Sequence, residues 1–306
     1  MMCEGSLIVR PAHSTGQPMQ SERILNQWSP GGTTVAYLMI GHPTVQVRSP
    51  TTFNRWFRER EMDAVMIAVD LMPGAVPDFF RALRAQVSVG GVIVTVPHKL
   101  AAFHEMDRLS RRAERLGVVN VVQRLDDGTL LGDMVDGLGF TGALRRNGFS
   151  PRGKRGVLFG AGGVGSAIAL ALLDDGIGVL DIVDPDQARL NALYDRLDRP
   201  AGACFTESRR HVGDADLVIN ATPIGMNGDP RMPFNGEGLS SRIYVADVVT
   251  KPEVTPLLTL AQSLGCKIQT GSQMADAQFA PLALAMGITH PDLQTKILTE
   301  TRKSEA

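Results

Sequence analysis

Gly156-Val157-Leu158-Phe159-Gly160-Ala161-Gly162-Gly163-Val164-Gly165-Ser166-Ala167 is the stretch whose reading decides the fold. Val157 to Phe159 read as a buried parallel strand, and Gly160, Gly162 and Gly165 give the Gly-x-Gly-x-x-Gly spacing at which such a strand turns into a helix. The first glycine permits the tight turn, the second lets a pyrophosphate approach the backbone, and the third lets helix and strand pack closely. Phosphates there meet free N–H groups at the positive end of the helix. Ile168, Leu170, Ala171, Leu172 and Leu173 supply the helix's apolar positions, and a second strand over 179–183 delivers Asp184, nineteen residues past Gly165. An acid about 20 residues on accepts hydrogen bonds from the adenosine ribose hydroxyls and repels a 2′-phosphate. Strand, turn, helix, strand and acid agree on a Rossmann unit that takes NAD in preference to NADP. Asp186, in the turn Asp184-Pro185-Asp186, is the competing acid.

The rest of the chain fits an α/β protein of two domains. With 306 residues, 43% of them hydrophobic, and a net charge of −1, it is long enough for two cores. Basic residues are scattered, and Arg111-Arg112 and Arg145-Arg146 read as solvated faces, which argues against nucleic acid. No apolar run reaches the length of a membrane span and the N-terminus lacks a secretory apolar core, so a cytoplasmic protein is expected. Cys3, Cys204 and Cys266 are isolated and read as free thiols. The histidines at 13, 42, 98, 104, 211 and 290 have no ligand spacing, so no metal is expected.

Residues 1–30 are rich in Ser, Gln, Pro and Gly and read as an extension. Strands over 35–40, 64–69 and 91–96 alternate with helices near 50–57 and 79–85, implying a mostly parallel sheet. A hairpin over 118–124 and 130–132 turns at Asp126-Asp127-Gly128. A helix then opens at Gly137 and leads into the nucleotide unit, whose further strands fall at 217–220 and 243–247. A last helix follows Gly271, from about 274 to 286 and on to 301. The expected domains are therefore an N-terminal α/β substrate domain, 31–137 plus 272–306, and a dinucleotide domain, 138–271.

Two places could carry chemistry. Thr95-Val96-Pro97-His98-Lys99 is a strand end turning into a helix, which presents Lys99 to a cleft, and Gly132-Asp133-Met134-Val135-Asp136-Gly137 sets two carboxylates beside the crossover. Removing a hydroxyl proton as hydride leaves for a nicotinamide needs a base at that carbon. An ordinary lysine keeps its proton to about pH 10, so such a base needs desolvation or a carboxylate partner. The bland alternatives are a solvated lysine, an N-cap aspartate at Asp136, a turn-forming Asn120 and an exposed Gln278.

From about Met39 to Gly287 the chain resembles the shikimate dehydrogenases, including their quinate/shikimate branch. The resemblance rests on Gly41-His42-Pro43 with Arg48-Ser49-Pro50, on Thr95-Val96-Pro97-His98-Lys99, on Val118-Val119-Asn120 and on Gly132 to Gly137. Asn220-Ala221-Thr222-Pro223-Ile224-Gly225-Met226 and Gln278 complete it. It implies a catalytic pair Lys99–Asp136, with Asn120, Thr95 and Gln278 on the ring hydroxyls of a cyclic hydroxy acid and Ser49 on its carboxylate. It also implies a dinucleotide held by Gly160 to Gly165 (Ala161, Gly163 and Val164 included), Asp184, Thr222, Pro223, Val248, Gly271 and Met274; a homodimer is left open.

The chain also departs from the family pattern. Val47 stands where a second hydroxyl residue belongs, Thr250 where a tyrosine belongs, and Met134 and Val135 replace an amide and a hydroxyl. These departures weaken shikimate itself as the substrate and favour a relative of shikimate or quinate. The alternatives are an amino-substituted shikimate or another cyclic acid as substrate, or a nucleotide-binding protein with little catalysis.

Overall fold

The computed structural model describes residues 29–197, 203–206 and 211–293. Nearly all of the expected N-terminal extension lies outside them. The described chain builds two six-stranded sheets. The first is formed by β1 (Val35–Gly41), β2 (Ala64–Asp70), β3 (Val89–Val94), β4 (Arg108–Leu109), β5 (Val121–Arg124) and β6 (Leu130–Asp133), with α1 (Ser49–Glu59), α2 (Val76–Leu83), α3 (Lys99–His104) and α4 (Arg111–Leu116) between strands. Its order is β2-β1-β3-β5-β6-β4. The three strands β2, β1 and β3 are parallel, as their alternation with helices requires, whereas β5 runs antiparallel to β3 and to β6. The hairpin turn accounts for the reversal between β5 and β6. Gly128 takes φ +85°, and Asp127 accepts hydrogen bonds from Thr129 N–H at 2.9 Å and from its hydroxyl at 2.7 Å.

The second sheet follows α5 (Asp136–Arg146). It comprises β7 (Arg155–Phe159), α6 (Gly163–Asp174), β8 (Val179–Val183), α7 (Gln187–Arg196), β9 (Ala203–Thr206), β10 (Leu217–Asn220), β11 (Tyr244–Asp247), α8 (Pro256–Ser263) and β12 (Lys267–Gln269). The order β12-β11-β10-β7-β8-β9 with every pair parallel is that of a doubly wound nucleotide-binding sheet, whose order reverses between β7 and β10. Buried on both faces, its strands need apolar side chains throughout, and Val157, Leu158 and Phe159 of β7 are all 3% exposed or less.

The last helix, α9 (Gly271–Ala285), returns to the first sheet. Phe279 enters an aromatic cluster with Phe53 at 4.5 Å and Trp56 at 5.4 Å between ring centroids. The helix ends at Ala285, where Gly287 adopts φ +78°, a left-handed residue that stops a helix, and the stretch from 294 to 301 expected to be helical lies outside the described residues. Similarly, α2 begins at Val76 rather than near Phe79, because Pro77 in a first turn has no N–H to miss. The third strand ends at Val94, two residues early, where Thr95 accepts from His98 N–H in a turn at 3.0 Å.

Helix α5 is the pin between the sheets. A Cβ on Gly137 would lie 2.2 Å from the Ala167 carbonyl oxygen of α6, and one on Gly139 would lie 2.7 Å from Cβ of Gln278 on α9. Only glycine permits both approaches, which bring the backbone of α5 against both helices.

Candidate active site

Three side chains, from α3, from the residue before β5 and from α9, converge on one carboxylate. Asp136 is the first residue of α5, where the helix N-terminus favours its charge, and it is 4% exposed. Its Oδ2 accepts a hydrogen bond from Lys99 Nζ, at the start of α3. Its Oδ1 accepts from Asn120 Nδ2 at 2.6 Å and from Gln278 Nε2 at 2.5 Å. The Asn120 amide is oriented by its own oxygen, which accepts Val135 N–H at 2.9 Å, so its NH₂ must face Asp136. Asn120 is 2% exposed, which is no place for a simple turn former. Lys99 sits at the positive end of a helix, an unfavourable position for an ammonium that the ion pair with Asp136 offsets. With three donors on its nitrogen, Lys99 keeps others for a further acceptor.

The two carboxylates seen in the sequence part company. Asp133, at the end of β6, accepts from the Ser110 hydroxyl, from Arg112 Nη2 at 2.5 Å and from Met134 N–H at 2.7 Å. It therefore fixes α4 and the loop before Asp136. Among the other sequence candidates, Val47 and Ser49 line a cleft of about 310 Å³ with Asp276 and Phe279 of α9. Thr95 is half-buried, its methyl side against Gly41, and Thr250 is exposed. No side-chain hydrogen bond links any of these four to the Asp136 cluster.

The glycine loop shows why each residue stands where it does. Gly160 has φ +103°, and a Cβ on Gly165 would fall 1.9 Å from the Gly160 carbonyl oxygen. A Cβ on Gly162 or Gly163 would meet nothing within 4 Å, and α6 begins there with no side-chain cap and no acid in its first turn. That is an open cradle of donors at a helix N-terminus, which fits a pyrophosphate. Ala161 N–H donates to Asp184 Oδ2 at 2.8 Å and Asp186 N–H to Asp184 Oδ1 at 2.9 Å, while Arg189 Nη1 lies 3.2 Å from Asp184. Burial alone would raise the Asp184 carboxyl, but these N–H donors and Arg189 outweigh it and hold the group below its ordinary value. It is an anion at neutral pH. Asp186 caps α7 through Arg189 N–H at 3.1 Å.

Thr222 and Pro223 follow β10, and the Thr222 methyl packs beside Gly160. Val248 N–H donates to Asn220 O at 3.0 Å, and Gly271 fits under the Val248 and Val249 carbonyls, where a Cβ would lie 2.5 and 2.3 Å away. Met274 is 7% exposed within the core.

Reading the sequence missed what holds these loops together. Asp247, 1% exposed, accepts from Val249 N–H at 2.9 Å, Asn220 Nδ2 at 3.1 Å and the Thr255 hydroxyl at 2.7 Å. An acid at the end of the apolar strand β11 was the available signal. It marks a buried acceptor that ties the ends of β10 and β11 to the cap of α8.

Comparison with known proteins agrees with the two-sheet fold. Residues 39–122 match the family model described as the shikimate dehydrogenase substrate binding domain. A protein of Rhodospirillum rubrum named shikimate dehydrogenase (NADP(+)) is 36% identical over 250 residues, 79% of this chain and 88% of its own. Among solved structures, the shikimate 5-dehydrogenase of Listeria monocytogenes in complex with shikimate and NAD superposes with a TM-score of 0.78 at 26% identity. The match covers 89% of this chain and 98% of that one. The quinate dehydrogenase of Corynebacterium glutamicum in complex with NAD gives 0.76 at 26% identity, over 88% and 99%. With a relative this similar across most of both chains, the protein belongs to the shikimate dehydrogenase family of oxidoreductases.

Proposed function

We propose that this protein is an NAD-dependent dehydrogenase that interconverts a ring hydroxyl of shikimate, quinate or a related cyclic hydroxy acid and the corresponding ketone. The observation that carries the reading is the convergence of Lys99, Asn120 and Gln278 on the buried Asp136 carboxylate. In this reading the reacting hydroxyl sits against Lys99, and the Lys99–Asp136 pair takes its proton during oxidation and returns it during reduction. Asn120, Gln278 and Thr95 hold the other hydroxyls, and Ser49 holds the carboxylate. A nicotinamide bound at the carboxyl end of the second sheet would supply or accept the hydride. Residues 31–137 with 272–306 form the substrate lobe and 138–271 the dinucleotide lobe.

The choice of NAD follows from the ribose end. Asp184 and Asp186 stand at that end, and among the described residues the cation paired with them, Arg189, is already engaged by both. A 2′-phosphate would bring a further dianion against them. The substrate's carboxylate is held by fewer donors than the family pattern provides, since Val47 has none and Thr250 is short. Removing one donor from a buried carboxylate costs about 1–3 kcal/mol, or roughly 5- to 150-fold in affinity. That favours a ring acid other than shikimate.

Steady-state kinetics with shikimate, quinate and an amino-substituted shikimate, each with NAD and NADP, test the reading. NAD should exceed NADP in kcat/KM by about tenfold or more, and Asp184→Ala should narrow the gap. Faster turnover with NADP would remove the cofactor assignment, and no turnover with any of the acids would leave a nucleotide-binding protein.

A further inference from the structure

Between α4, α5 and α6 lies a cavity of about 390 Å³ that Lys99, Asn120, Asp136 and Gln278 do not line. One wall is apolar, built from Leu116, Met134, Leu138 and Leu170. The other carries the arginines 111, 112 and 115 of α4. Arg112 is held by Asp133 at 2.5 Å, and Arg115 is held loosely by Asp174 at 3.7 Å. Arg111 is exposed and makes no ion pair among the described residues. Two buried polar atoms here lack any partner: the hydroxyl of Thr141, whose residue is 1% exposed, and Nε of Arg112. Such atoms are rare in folded proteins, and each calls for a partner.

We propose that this cavity binds a compact aromatic or alicyclic carboxylate, with Arg111 as its charge partner and the apolar wall against its ring. The charges decide against a dianion. Asp174 and Asp175 stand at one end, Asp175 being already paired with Arg145 at 2.5 Å, so the site carries a small positive excess suited to one negative charge. A phosphate would also have to desolvate against four apolar side chains.

Occupancy reaches the active site by a short path. Arg112 pins Asp133, which accepts Met134 N–H two residues before Asp136, so a ligand that moves Arg112 shifts the loop carrying Asp136. The cavity also spans α4, beside the first sheet, and α6, of the second, so its filling sets how the two approach each other. Binding rests on the cavity alone, whereas an effect on turnover rests also on the dehydrogenase reading above.

Titration of the full-length protein with benzoate, and with neutral benzamide as control, tests the site by calorimetry and by kinetics. Benzoate should bind saturably and benzamide about tenfold more weakly or worse. Arg111→Glu should weaken benzoate binding by about tenfold or more, and Leu138→Trp should abolish it by filling the space. Arg111→Glu should keep wild-type kcat without benzoate, and benzoate should alter kcat rather than the KM of the ring acid. Equal binding of benzoate and benzamide would overturn the proposal, as would unchanged affinity in Arg111→Glu, simple competition with the ring acid, or no saturation. If no acid is turned over but benzoate binding still depends on Arg111, the cavity stands and the dehydrogenase reading falls.

Discussion

Lys99 illustrates how far one residue depends on its neighbours. Alone, at the start of α3, it would be a solvated cation beside a positive helix end. Paired with Asp136 and 15% exposed in its side chain, it is instead tied to a buried carboxylate in a partly dry site, which is why it is proposed as the group that meets the reacting hydroxyl. Lys99→Ala should therefore lower kcat by roughly 10²- to 10⁴-fold. The Kd for NAD, measured by fluorescence titration, should stay at the wild-type value because the lysine is not part of the glycine cradle. An equal loss of NAD binding would show that Lys99 had been assigned to the wrong part of the cleft. Asp133 makes the complementary point, since the same residue type three positions earlier is fully engaged by Ser110, Arg112 and Met134 and serves structure.

At the scale of elements, the turn from β7 into α6 separates two kinds of glycine. Gly165→Ala would drive a methyl group into the Gly160 carbonyl and should lower Tm steeply or prevent folding. Gly162 has φ −72° and open space around it, so Gly162→Ala should leave Tm near wild type. Its NAD affinity, by calorimetry, should nonetheless fall about tenfold or more as the methyl meets the pyrophosphate. The ends of β10 and β11 offer a pH test. Burial pushes the Asp247 carboxyl above the ordinary carboxylate range, and the donors Val249 N–H, Asn220 and Thr255 offset this only in part. The native state then binds this proton more tightly than the unfolded chain, so stability from Asp247 is present at low pH and is lost as pH rises through the raised value. The Tm advantage of wild type over Asp247→Asn should shrink as pH climbs from about 4; a constant difference would mean that the carboxyl is ionised throughout.

Across the whole molecule, the chain crosses from the first sheet to the second through α5 and comes back through α9. The aromatic cluster of Phe53, Trp56, Phe57 and Phe279 closes that return. Phe279→Ala should cost about 3–5 kcal/mol of stability, seen as a lower Tm by calorimetry. It should leave the Kd for NAD unchanged, because the cradle belongs to the other sheet. Among the described residues, no helix is long and apolar enough to cross a membrane.

Much of this architecture was legible in the sequence because its causes are local. Buried parallel strands demand apolar runs, as at 157–159 and 217–220, and a tight strand-to-helix turn demands glycine at a fixed spacing. Gly128 in a turn obeys a rule that spans only a few residues. Elements too short to show a period, such as α4, β4 and β12, escaped for the same reason. Nothing local set the antiparallel pairing of β5 with β3 or the separate fates of Asp133 and Asp136. Nor could spacing place Gln278 on a carboxylate 142 residues earlier in the chain. The sequence by itself determined the kinds of element and the residues able to do chemistry, since these follow from side-chain polarity and backbone freedom. Only the tertiary structure decided which of those residues meet, because that depends on α5 being clamped between α6 and α9 by two glycines that let the helices touch.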